Sequence, residues 1–162
     1  MSDLSDRMHD LMQRVASLIP GFSGYADKEA RRNSDSILRE RLAQRIDRVR
    51  HQIERQIEAA SHGDGLELID ELGRATKAAQ RARDRLRYAS HGYSGFFDPV
   101  QVDSAKLEQL YQFDLSLVQT VESLEARVQD PLELGSARSL TASLREFDDK
   151  LDERDASFRQ GA

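Results

Sequence analysis

Apolar residues recur at three- and four-residue steps along most of this chain, in five stretches separated by glycine or proline. That spacing places them on one face of an α-helix, whereas strands would need strict alternation. The clearest stretch is Leu68, Leu72, Ala75, Ala79, Ala82, Leu86 and Ala89, stepping 4, 3, 4, 3, 4, 3 as coiled-coil-like packing requires. Its alanines let a neighbouring helix come close.

The same reading predicts the other helices. Leu4, Met8, Leu11, Met12, Val15, Leu18 and Ile19 define one over about 3–19, stopped by Pro20-Gly21. Asp27 caps a second over about 27–61, with Leu38, Leu42, Ile46, Val49, Ile53, Ile57 and Ala60 on its apolar side. His62-Gly63-Asp64-Gly65 breaks the chain before the third, about 65–90. Asp103 or Ser104 opens the fourth, whose seam is Leu107, Leu110, Leu117, Val121, Leu124 and Val128. Asp130-Pro131 and Gly135 precede the fifth, about 136–158, with Leu140, Leu144, Phe147, Leu151 and Phe158. The expected fold is all-α: a single domain over 1–162, an antiparallel up-down bundle of four to five helices with short connections. The second helix is long enough for its far half to serve as a coiled-coil arm in self-association.

Two loops repeat. Gly21-Phe22-Ser23-Gly24-Tyr25-Ala26-Asp27 and Gly92-Tyr93-Ser94-Gly95-Phe96-Phe97-Asp98 match at both glycines, the serine and the aspartate, with aromatics exchanged for aromatics. Asp35-Ser36 with Glu40 and Leu42 echoes Asp103-Ser104 with Glu108 and Leu110. A duplicated helix-loop-helix unit, about 3–61 and 65–130, accounts for both. It sets the two loops at one end of the bundle.

Charge is uneven. Residues 28–88 carry a balance of +4 and residues 98–162 one of −7, within a net charge of −5. Lys28, Arg31 and Arg32 begin the second helix, where the helix dipole is already positive, and Arg81, Arg83, Arg85 and Arg87 end the third, where cations suit it. Together they predict a basic collar around the loops. Asp35 and Asp114 fall on apolar seams near the same end, so each must be paired or protonated.

Two readings of this end stay open. In one, Phe22, Tyr25, Tyr93, Phe96 and Phe97 seal the bundle and the collar arginines pair with the two aspartates. In the other, the aromatics form an exposed patch for a partner. The expected partner-binding residues are then Phe22, Tyr25, Lys28, Arg31, Arg32, Arg83, Arg87, Tyr93, Phe96 and Phe97, with Asp35 and Asp114 in a polar cavity for an anionic ligand.

Several chemistries lack their residues. The chain has no cysteine, which excludes disulfides and thiol catalysis. No Glu-x-x-His pair supports a ferritin-like metal centre, and the glycine loops have neither the spacing nor the preceding strand of a nucleotide cradle. Gly-aromatic-Ser-Gly is not a nucleophile elbow. No cofactor is expected, and the balance is against an enzyme. The first residues hold Asp3, Asp6 and Asp10 and no long apolar run, so a cytoplasmic protein is expected.

The blocks at 19–43 and 85–98, above all Gly92-Tyr93-Ser94-Gly95-Phe96-Phe97-Asp98, resemble segments of a family of small, helical, uncharacterised prokaryotic proteins. The resemblance implies a prokaryotic cytosolic origin and makes the two loops the family's signature, without implying an activity. The leading expectation is therefore a non-enzymatic helical interaction protein docking a protein partner, with homodimerisation through helices two to four. The alternatives are a small anionic-ligand binder or enzyme using Asp35 and Asp114, and peripheral binding to anionic membranes. Nucleic acid is disfavoured by the overall negative charge.

Overall fold

A computed structural model describes residues 2–60, 65–88 and 104–159. They form five helices and no strand: α1 (Ser2–Leu18), α2 (Lys28–Ala60), α3 (Leu66–Tyr88), α4 (Ser104–Arg127) and α5 (Leu134–Arg159). The predicted boundaries hold within two residues. Asp27 caps α2, its Oδ1 accepting the Ala30 amide at 2.8 Å. Gly135 does not mark a boundary as expected, because α5 already begins at Leu134 and the stop lies at Asp130-Pro131.

Helices α2, α3, α5 and α4 close a ring, each packed on the next. Side-chain bonds give their directions. Arg83 meets Asp47 at 2.8 Å and Arg87 meets Glu40 at 3.6 Å, so α2 and α3 are antiparallel. Lys150 donates to Ser116 at 2.6 Å and Arg127 to Ser143 at 2.8 Å, so α4 and α5 are antiparallel too. Between the hairpins the neighbours run parallel: Arg45 pairs with Glu125 while Gln56 donates to the Val128 carbonyl, and Thr141 donates to Glu71 while Arg85 pairs with Asp148.

The alternating directions of an up-down bundle hold from α2 to α5, and only the expectation that successive helices are always neighbours is corrected. Consecutive α3 and α4 oppose each other in direction but face across the ring, since the connection over 89–103 is not short. Helix α1 packs principally on α4, outside the ring, rather than along α2. The far half of α2 is no free arm either. Val49, Ile53 and Ala60 are buried, and the Gln56 side chain bonds the carbonyls of Val128 and Asp130 and the amide of Leu132.

One continuous core runs through the bundle. Ala75, Ala79 and Ala82 of α3 are fully buried, the small side chains that permit the close approach of α2 and α5. No helix among the described residues is long and apolar enough to cross a membrane.

Candidate functional site

The Gly21–Asp27 loop folds inward. Gly21 and Gly24 both take φ of +92°, a conformation that favours glycine, and this turns the intervening chain back on the bundle. Phe22 is 6% exposed and Tyr25 0%, so neither is available to a partner, contrary to the exposed-patch reading. Their rings meet edge to face at 5.2 Å, and Tyr111 of α4 closes the cluster at 5.0 Å from Tyr25. Polar groups lock the turn. The Tyr25 amide donates to the Tyr111 hydroxyl at 2.8 Å, and Ser34 donates to the Gly24 carbonyl at 2.8 Å while accepting the Ser23 amide at 3.2 Å. Tyr93, Phe96 and Phe97 lie outside the described residues.

Beneath this plug sits a buried charge network. Arg154 of α5 is 0% exposed and lies between two aspartates that are buried as completely. Its Nε donates to Asp114 at 2.8 Å and one terminal nitrogen to Asp35 at 2.6 Å. The second Asp35 oxygen accepts from Arg39 at 3.0 Å, and Arg39 reaches on to Asp155 at 2.5 Å. The second Asp114 oxygen accepts from the Tyr25 hydroxyl. All four carboxylate oxygens of the pair are thus engaged by donors of the chain itself, and Arg154, buried between them, is committed to these carboxylates instead of to the expected anionic ligand.

The network's electrostatics follow from burial and from three carboxylates facing two guanidiniums. Burial pushes Asp114 up to about 6 from 3.8, against the attraction of Arg154 and the Tyr25 hydrogen bond. Burial by itself would favour loss of the Arg154 proton, but Asp114 and Asp35 hold it well above its ordinary value. Burial and the Asp114 charge likewise raise the Tyr25 hydroxyl.

The collar pairing is corrected as well. The arginines that pair with Asp35 and Asp114 come from α5 and from the fourth turn of α2, not from those flanking the loops. Of the expected collar, Arg31 is buried, one terminal nitrogen donating to the Tyr25 carbonyl at 3.4 Å, while Lys28 and Arg32 are exposed. Arg83 is spent on Asp47 and Asp84, and Arg87 on Glu40. The contacts of Arg83 and Arg50 hold Asp47 down to about 2, although burial works the other way.

A different basic surface lies along the side of the bundle. Helices α3 and α5 leave a groove of about 380 Å³ between them, lined by Arg74, Lys77 and Arg81 on one wall and Arg145, Asp148 and Asp149 on the other. Lys77, Arg81 and Arg145 are exposed and form no ion pair within 4 Å among the described residues. Sequence reasoning placed Arg81 in the collar and missed the other three, because Arg145 joins them only through the parallel packing of α5 on α3. Among the described residues no three His, Asp or Glu side chains gather as a metal ion would require.

The fold and this surface define an all-α bundle, with five helices among the described residues, a buried charge network and an open basic groove. No family model, no curated protein and no solved structure matches the chain.

Proposed function

We propose that this chain is a non-enzymatic interaction protein that seats an acidic protein segment in the groove between α3 and α5. The observation that carries the reading is the convergence of Arg74, Lys77, Arg81 and Arg145 on one concave surface, where Lys77 and Arg145 have no carboxylate partner within 4 Å among the described residues and Arg81 acts on Asp148 beyond that distance. An exposed ion pair contributes no more than about 1 kcal/mol, so affinity has to come from several cations acting on several anions. It also has to weaken with salt, since screening sets in beyond about 8 Å at physiological ionic strength. The inward plug and the aspartates support a binding role over catalysis, because all four carboxylate oxygens of Asp35 and Asp114 already accept from Arg39, Arg154 and Tyr25.

The test is titration of a labelled polyglutamate peptide at low and at physiological ionic strength. Binding is expected at low salt, lost in Lys77→Glu/Arg81→Glu and kept in Lys28→Glu/Arg32→Glu. Loss with the collar variant and retention with the groove variant would overturn the reading.

A further inference from the structure

The groove is matched by a second charged surface on the same chain. Asp3, Asp6 and Asp10 recur at steps of 3 and 4 on α1, so they share one face of that helix. All three are exposed, while Val15 is buried and Leu4, Met8, Leu11 and Met12 half-buried on the other side. Asp3 pairs with Arg7 at 3.1 Å, and Asp6 and Asp10 enter no ion pair within 4 Å among the described residues. Arg74, Lys77 and Arg81 repeat that spacing on α3. At 1.5 Å per residue each stripe is about 10 Å long. The signs also cross over at the edges. Arg14 is exposed beside the acidic stripe, and Asp149 is exposed on the far wall of the groove.

From this complementarity we infer that the acidic segment seated in the α3/α5 groove is helix α1 of a second copy of the same chain, its Asp3-Asp6-Asp10 stripe laid against Arg74, Lys77 and Arg81. The inference rests on the proposed reading of the groove and names its partner. Helix α1 rides on α4, which faces α3 across the ring, so donor stripe and acceptor groove lie on different sides of one molecule. The contact is therefore heterologous, and copies add head to tail instead of forming a two-fold dimer. Because α1 presents charge and no large apolar side chain on its outward face, the assembly is weak and governed by salt. The net charge of −5 opposes it at long range.

Sedimentation velocity at low salt tests this with the full chain. Wild type is expected to show concentration-dependent species that dissociate as salt is added. Lys77→Glu/Arg81→Glu and Asp6→Lys/Asp10→Lys should each weaken association about tenfold or more, since like charges then face each other. An equimolar mixture of the two variants should associate again, because each supplies the complement the other lacks. Recovery also guards against misfolding as the cause of loss. A wild type that stays monomeric, or a mixture that does not recover, overturns the inference. Polyglutamate in the same buffer separates the two claims: if it binds the groove while wild type stays monomeric, only the second copy is ruled out, and if neither occurs the groove reading falls as well.

Discussion

At position 154 an arginine occupies a face whose other members, Leu140, Leu144, Phe147 and Leu151, are all apolar and buried. It is held there by Asp35 and Asp114, and removing one member of such a buried set leaves charge without compensation. Arg154→Ala is therefore expected to destabilise the fold by about 3–5 kcal/mol in urea unfolding, and a loss below about 1 kcal/mol would contradict the geometry. Adding Asp35→Asn and Asp114→Asn to Arg154→Met should restore part of that loss. The acidity of Asp114 makes a second prediction at this scale. Its folded value of about 6 lies above the ordinary 3.8, so the folded chain binds this proton more tightly than the unfolded one. Its contribution is most favourable below 3.8 and is lost as pH rises through 6. Asp47, held at about 2, acts oppositely and in a separate window, its contribution present above 3.8 and lost as pH falls towards 2. Unfolding midpoints of Asp114→Asn should lack the decline between 3.8 and 6, and an unchanged slope would refute the assignment. Asp35 and Asp114 were legible as anomalies because each interrupts an apolar seam. Arg154 interrupts its seam in the same way, but long arginine side chains often reach solvent from such positions, so the signal passed unused.

Among elements, the first loop carries its information in two glycines. Both have φ of +92°, but their surroundings differ. A Cβ at Gly24 would meet Met12 Cγ and the Tyr111 hydroxyl at 3.0 Å, whereas one at Gly21 would meet only Ile37 at 3.4 Å. Gly21→Ala should cost about 1 kcal/mol for backbone strain alone, and Gly24→Ala clearly more, measured as the shift in thermal or urea midpoint. Equal costs would mean that the plug relaxes freely. The helices themselves were readable within two residues, since caps and breakers act over single turns. The free arm expected from α2 was not, because its length says nothing about what lies alongside it. There Gln56 and the turn near Leu132 decide, and they are far apart in sequence.

On the scale of the whole molecule, the order of helices around the ring determines which surfaces exist. Parallel packing of α2 on α4 brings Arg45 onto Glu125 through two bonds of 3.0 and 2.6 Å. A double-mutant cycle on Arg45→Ala and Glu125→Ala should therefore return a coupling of roughly 0.5–1 kcal/mol, and no coupling would argue against that ring order. The amino-acid sequence by itself determined the helical class, the ends of the helices and the two aspartates that needed partners, since periodicity and capping are written within a few consecutive residues. Only the tertiary structure decided that the first loop's aromatics turn inward, that Arg154 answers both aspartates, and that Arg145 completes a groove with α3. Those choices join residues as far as 119 positions apart, and no local pattern encodes which of several apolar helix faces meets which.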